Sequence, residues 1–393
     1  MKIGFDVSQT GDGKAGCGYF AEGLIRALED LASALKGAGG HEYILYPAFG
    51  DLFWDPQCAT ATYSTSHPAF KRMKAPAGLE ESQRFWRAAG ATPNTGARPD
   101  FETRIGSPDL VHSNNFFCPR GLARARLVYT LYDLSFLVDP SWTTEANRVG
   151  CLDGVFRAAT GADWIVADSE YTRRHFLEVF PHYPAGRTEV IYPGSRYSFE
   201  GPAAPRPERF GQLTAAGFWL SVGSLEPRKN HRRLVEAYAR SGSPLPLVLA
   251  GGKGWLMEDL LAELGERAGG IVLPGYVSES ELEWLYRHCF GFLYPSLFEG
   301  FGMPVLEALS LGAPVICSNT TSLPEVAGDA GLLVDPLDTE AIAAAMLRLV
   351  SGEIARETLR AAGLRQAARF SWKASARKLL RVYEECRKRE KGF

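Results

Sequence analysis

The chain has no apolar run of about 18 residues that could span a bilayer, no CxxC pair, no D-x-D sequence and almost no net charge. Each absence removes a class of protein. With 43 basic residues against 45 acidic ones, affinity for a polyanion has to come from local patches, so no nucleic-acid partner is expected. Cys17, Cys58, Cys118, Cys151, Cys289, Cys317 and Cys386 are odd in number and scattered, and histidine is as scarce as cysteine. Neither a disulfide framework nor a structural metal site is expected. The opening "MKIGFDVSQ" enters a strand-like alternation without the long apolar stretch of a secretory signal, which points to a cytoplasmic location. What is present is ordinary globular composition, 46% apolar and 22% charged, over 393 residues, too long for one core. Two domains are expected.

The order of patterns predicts an α/β fold. A strand over Lys2–Ser8 leads into a Gly-rich loop, "GDGKAGCGY", and a helix from about Phe20 to Leu35 with Leu24, Leu28 and Leu31 at helical spacing. Short apolar runs follow, "DLVHS", "LVYTLYD", "WIVADS" and "TEVIYPG", which read as parallel strands buried on both faces. Between Gly40 and Asp109 the pattern weakens to an exposed helix and a long loop. Gly and Pro concentrate in "GSRYSFEGPAAPRPERFGQL", and residues 196–215 are expected to link the domain 1–195 to a second over 216–370. In that second domain the alternation restarts with "FWLSVGSL", "PLVLAGG", "GIVLPGY", "GFLYPS", "PVICSN" and "GLLVDP", each followed by a helix; one of these spans Leu256–Arg267. Two Rossmann-like doubly wound domains facing a cleft are expected, with ligands beyond the carboxyl ends of the strands.

Two loops carry chemistry. In "SVGSLEPRKNHRRLVEAYA", Arg228, Lys229, His231, Arg232 and Arg233 crowd the start of a helix that Asn230 would cap. Cations at a helix N-terminus are unfavourable by roughly 0.3–1 kcal/mol unless an anion sits among them. The loop therefore reads either as a diphosphate site, with Arg228 and Lys229 as its clamp, or as a solvated basic face. In "SLFEGFGMPVLEALSLGAPV", Glu299 and Glu307 stand eight residues apart. Pro304 suits a first helical position and would put Glu307 in the first turn, facing the helix dipole. Ionised carboxylates accept hydrogen bonds and sugar hydroxyls donate them. Alone, Glu307 also reads as a plain first-turn dipole partner, and Glu299 as a solvated loop carboxylate.

Taken together, "SVGSLEPRKN" and "VLPGYVSESELEWLYRHCFGFLYPSLFEGFGMPVLEALSLGAPVICSNTTSLPEVAGDAGLLVDPLD" resemble the donor half of the family 4 retaining glycosyltransferases of GT-B fold, near the bacterial group 1 mannosyl- and hexosyltransferases. "AGCGYFAEGLIRAL" and "TLYDLSFL" are similar more loosely. The resemblance implies an enzyme that takes a GDP- or UDP-linked sugar as substrate and needs no cofactor. Arg228 and Lys229 would hold the diphosphate, Glu299 the donor sugar and Glu307 the ribose. Gly223 and the backbone of Phe301 and Gly302 would lie against the donor, and Gly16 and Gly18 would cap its phosphates. Many members carry His-Asp where this chain reads Tyr132-Asp133. Tyr132 is a poor base near neutrality, so the resemblance assigns acceptor deprotonation to a donor phosphate oxygen and leaves Asp133 to orient a hydroxyl. The absence of D-x-D agrees with metal-independent chemistry.

The acceptor implied is a saccharide or a lipid-linked saccharide of bacterial surface polysaccharide. Trp54, Phe85 and Trp86 beside Lys71, Arg72, Lys74, Arg84 and Arg87 would suit peripheral membrane contact, or form an ordinary solvated helix. The C-terminal 371–393 is expected to cross back to the first domain as an amphipathic helix. Two other activities share the pattern: a sugar-nucleotide epimerase of the same fold, and a nucleotide-sugar-binding protein without turnover.

Overall fold

The computed structural model describes residues 1–34, 40–50, 61–74, 79–88, 101–252 and 270–389. The chain divides into two compact units, one comprising Met1–Leu137, Glu145–Gly194 and Ser371–Phe393, the other Val138–Thr144 and Ser195–Phe370.

The first unit is built on a seven-stranded parallel sheet in the order β3-β2-β1-β4-β5-β6-β7. Its strands are β1 (Lys2–Asp6), β2 (Glu42–Tyr46), β3 (Phe70–Arg72), β4 (Leu110–Ser113), β5 (Arg126–Leu131), β6 (Trp164–Ala167) and β7 (Thr188–Val190). β4 and β6 are buried at every position, as continuous apolar runs covered on both faces require. β2 and β3 fall where the sequence pattern is weak. β3 is the edge strand and β2 its neighbour, and exposed Glu42, Lys71 and Arg72 break the alternation there. The helix Leu79–Ala88 turns Arg84 and Arg87 outward, but Trp86 is buried among Tyr46, Phe49, Phe101 and Phe117. The interfacial reading therefore loses its central aromatic, and Trp54 lies outside the described residues. The C-terminal helix Trp372–Lys388 places Ala376, Leu379, Val382 and Tyr383 in one core with Leu24, Leu28 and Leu31 of the helix Gly16–Ala34.

The second unit holds a six-stranded parallel sheet, β10-β9-β8-β11-β12-β13. Its strands are β8 (Trp219–Val222), β9 (Leu247–Ala250), β10 (Ile271–Gly275), β11 (Gly291–Tyr294), β12 (Val315–Ser318) and β13 (Gly331–Val334). Helices His231–Ser241, Glu279–His288, Met303–Ser310 and Thr339–Val350 alternate with them. The helix expected over Leu256–Arg267 lies outside the described residues. Residues 196–215 group with this unit and are not a free linker: Phe210 is buried and stacks on Trp284, with 6.3 Å between ring centroids. Gly and Pro there shape a packed strap that needs no apolar periodicity. No helix among the described residues is long and apolar enough to cross a membrane.

Candidate active site

In each sheet the strand order reverses once, between β1 and β4 in the first unit and between β8 and β11 in the second. Loops leaving adjacent strands at such a reversal diverge and open a crevice at the carboxyl ends. In the second unit the loop after β8 supplies Glu226, Arg228 and Lys229, and the loop after β11 supplies Glu299. Arg228 Nη1 donates to Glu299 Oε2 at 3.0 Å and to the Phe298 carbonyl at 2.7 Å, while Nη2 donates to Glu226 Oε1 at 2.7 Å. Lys229 Nζ donates to Glu299 Oε1 at 2.7 Å and to the Tyr294 hydroxyl at 2.6 Å. The lysine stem lies over Gly223, with Cε 3.4 Å from where a Cβ would stand.

In the structure Glu226 and Glu299 stand among these cations. Burial pushes the Glu299 carboxyl up, but Lys229 and Arg228 more than reverse this and hold it at about 2. The carboxylate is ionised and fixed by two donors. Its loop is pinned from behind by the turn after β12: Thr321 Oγ1 accepts from the Glu299 N–H at 3.2 Å, and Ser322 Oγ donates to the carbonyls of Glu299 and Phe301 at 2.9 and 3.0 Å. The Phe301 ring is buried against Phe370, so its side chain anchors the loop. Asn230 does not cap the following helix through its side chain. It adopts φ 60° and donates to the carbonyls of Pro295 and Pro336, tying three loops together.

Gly302 is the N-cap of the helix Met303–Ser310 with φ 96°, a conformation that glycine alone adopts without strain. The helix begins at Met303, so Glu307 lies beyond its first turn and is not held by the dipole. It is buried and paired instead: Arg196 Nε stands 2.8 Å from Oε1, and the Tyr286 hydroxyl donates to Oε2 at 3.1 Å. Burial raises the Glu307 carboxyl above its usual value, with Arg196 opposing.

In the first unit, Gly16 opens its helix with nothing within 4 Å of a notional Cβ, whereas one at Gly18 would stand 2.0 Å from the Gln9 carbonyl oxygen. Gly18 therefore serves close packing of the loop after β1. Tyr132 and Asp133 follow β5. The Tyr132 hydroxyl donates to the carbonyl of Asn114 at 2.8 Å, with the Cys17 carbonyl at 3.3 Å, and burial pushes the phenol well above its usual range. That hydroxyl holds backbone. Asp133 Oδ1 accepts from the N–H and hydroxyl of Ser135, at 2.9 and 2.7 Å, as a turn-capping residue does.

Comparison with known proteins places this geometry. Residues 21–195 match Glycosyltransferase Family 4 and residues 210–366 match Glycosyl transferases group 1. Over 286 residues, 70% of this chain and 74% of the relative, the chain is 38% identical to the O-antigen chain mannosyltransferase B of Escherichia coli. It belongs to the family 4 glycosyltransferases. The serotype-specific mannosyltransferase WbdA of Escherichia coli is 36% identical over 167 residues, 40% of this chain and 20% of that protein, so the chain spans one fifth of that relative. Among solved structures, HepE of Anabaena in complex with UDP and glucose superposes with a TM-score of 0.70 at 19% identity, covering 98% of this chain and 100% of that one. This likeness shows the GT-B fold.

For this glycosyltransferase, the structure brings Arg228, Lys229, Glu299 and Gly223 together and places Phe301, Gly302 and Glu307 on the segment that follows. Gly16, Gly18, Tyr132 and Asp133 belong to the other unit. Sequence reading missed Glu226, Arg196, Tyr286, Tyr294, Thr321 and Ser322. Glu226 stood in the basic loop itself and was legible as its counter-charge; the others are single residues in unmarked positions, joined to the site only by folding.

Proposed function

We propose that this glycosyltransferase moves a hexose, with mannose the first candidate, from a GDP- or UDP-linked donor to a saccharide or lipid-linked saccharide in surface-polysaccharide assembly. Transfer would proceed with retention of configuration and without a metal ion, at the cytoplasmic side or the membrane periphery. The observation that carries the reading is the cluster in which Arg228 and Lys229, both half-buried, hold the buried Glu299 carboxylate at the strand-order reversal of the second unit. The mannosyl and polysaccharide parts rest on the likeness to the O-antigen chain mannosyltransferase.

Departure of a nucleoside diphosphate develops negative charge on the leaving oxygens. Cations already fixed in place stabilise that charge without reorganising, which favours the transition state over the bound donor. An ammonium has three donors; Lys229 places two on Glu299 and Tyr294, and the third is assigned to the diphosphate. Glu299, ionised and held, accepts from hydroxyls of the donor sugar, and Glu307 from the ribose. The acceptor hydroxyl attacks the anomeric carbon from the face the diphosphate leaves, and its proton passes to a departing phosphate oxygen. No protein base is required, which suits the engaged hydroxyl of Tyr132.

The test is incubation with GDP-mannose and UDP-hexoses, each with and without mannosyl and lipid-linked acceptors, with product linkage read by NMR. A glycosidic product of unchanged anomeric configuration, formed in excess EDTA, is the expected result. A changed sugar nucleotide formed without acceptor would instead make the protein an epimerase. Donor binding without transfer over a broad acceptor panel would make it a binding protein.

A further inference from the structure

The residue that holds Glu307 lies in no motif. Arg196 is the second residue of the segment Ser195–Phe370, inside a stretch whose composition reads as linker. Its guanidinium forks over the carboxylate, Nε at 2.8 Å from Oε1 and Nη2 at 3.4 Å from Oε2, and turns Nη1 toward Glu279 at 3.3 Å. The guanidinium carbon stands 4.9 Å from the centroid of the Tyr197 ring, which fixes the plane of the fork. The Tyr286 hydroxyl also donates to Oε2. An ionised carboxylate offers about four acceptor positions. Both hydrogen bonds, from Arg196 Nη2 and Tyr286, fall on Oε2, so Oε1, in ion-pair contact with Nε, keeps acceptor capacity.

We propose that Arg196 is the positioning residue for the ribose end of the donor: it holds the Glu307 carboxylate turned so that Oε1 accepts one hydroxyl of a nucleotide ribose. This rests on the donor-site reading above and goes beyond it by assigning the work to a residue outside the family motif. The arrangement fits that role better than bulk stabilisation. The Glu307 side chain is 4% exposed while Arg196 is 20% exposed and Glu279 60% exposed, so the network runs from a buried carboxylate outward to where a ligand can arrive. Burial alone favours the neutral acid, which would donate where a ribose hydroxyl also donates, and the cation opposes that. A guanidinium fixes both oxygens through one plane, whereas an ammonium supplies charge without that orientation.

The test is calorimetric binding of GDP and UDP, and of their 2′,3′-dideoxy forms, to the wild-type protein, Arg196→Gln and Arg196→Lys, with thermal melting of each. The wild type is expected to bind the matching ribonucleotide more tightly than its dideoxy form. Arg196→Gln should weaken the ribonucleotide on the order of tenfold and leave the dideoxy form within about twofold, so that the two bind alike. Arg196→Lys should melt near the wild type and keep part of the preference, and it carries the test if the glutamine variant does not fold. Equal losses for ribose and dideoxy forms, or no loss at all, would overturn the proposal. If neither GDP nor UDP binds the wild type, the donor site itself is misassigned, an outcome distinct from failure at Arg196.

Discussion

Glu299 is a buried carboxylate more comfortable charged than neutral, because Lys229 and Arg228 outweigh the effect of burial and hold it at about 2. A depressed acid contributes stability that is complete above its unfolded value near 4.3 and is lost as pH falls toward the folded value. Glu299→Gln should therefore lower stability at pH 7, on the order of 1–3 kcal/mol, and denaturant titrations should show the deficit closing between about pH 4.3 and 2. A deficit independent of pH would remove charge from the explanation. Arg228→Ala or Lys229→Ala should lower kcat/KM on the order of a hundredfold. Each substitution also strands Glu299, so the informative variant is Lys229→Ala combined with Glu299→Gln. Stability should recover in it while transfer falls well below that of Glu299→Gln alone; transfer equal to that single variant would reduce Lys229 to a counter-ion. Tyr132 belongs to a different category, since its hydroxyl is engaged by backbone. Tyr132→Phe should lower stability by about 1 kcal/mol and leave kcat within about threefold, and a tenfold fall in kcat with unchanged Tm would restore a role in transfer.

The loops that end strands are where element structure and site coincide, and their glycines separate the two. A Cβ at Gly18 would meet the Gln9 carbonyl, and one at Gly302, already at φ 96°, would stand 2.5 Å from Leu323 Cδ2. Gly18→Ala and Gly302→Ala should each lower Tm. Gly16→Ala has open space, so its stability should stay within about 0.5 kcal/mol of the wild type; a fall in donor affinity at unchanged Tm would mark a ligand close to that backbone, and unchanged affinity would remove Gly16 from the site. Which elements the sequence revealed follows the same physics. Strands such as β4, β6 and β11 are buried on both faces and read as apolar runs, and His231–Ser241 and Thr339–Val350 carry helical periodicity to their ends. β3 is the edge strand and β2 lies next to it, where exposed Glu42, Lys71 and Arg72 dilute the pattern, and Arg356–Ala367 has a weak apolar stripe that gave no signal. Of the site, the motif residues were legible because charge and glycine cluster locally. Arg196, Tyr286 and Thr321 were not, because only tertiary folding brings them to Glu307 and Glu299.

At the scale of the whole chain, each unit buries a neutral histidine, and the two give the protein an acid limit. Burial holds His112 down to about 3, and burial with the neighbouring Lys229 holds His231 down to about 4. His112 links the C-terminal helix to the sheet: its Nδ1 is 2.6 Å from the Tyr383 hydroxyl and its Nε2 2.9 Å from Thr130 Oγ1. Because that threonine donates onward to Asn114 Oδ1, Nε2 carries the proton and Nδ1 accepts from Tyr383. Protonating Nδ1 would remove that acceptor. Both imidazoles take up a proton near 6.5 when unfolded and resist it when folded, so stability is full above about pH 6.5 and falls as pH drops toward 4 and 3. Asp6 acts oppositely: burial raises its carboxyl to about 7, so its contribution is present below the usual acid range and is lost as pH rises through 7. The wild-type curve mixes these terms, and the assignment needs differences. His231→Asn and His112→Asn, each compared with the wild type by urea unfolding at pH 7.5 and 4.5, should show a deficit that shrinks on acidification by roughly 1–3 kcal/mol. For His112→Asn the change should appear in the transition of the unit that holds Trp372–Lys388, and Tyr383→Phe should weaken that same transition at pH 7.5. Parallel wild-type and variant curves across this range would mean that neither histidine is held neutral by the fold, and the acid limit would then fall to the carboxylates.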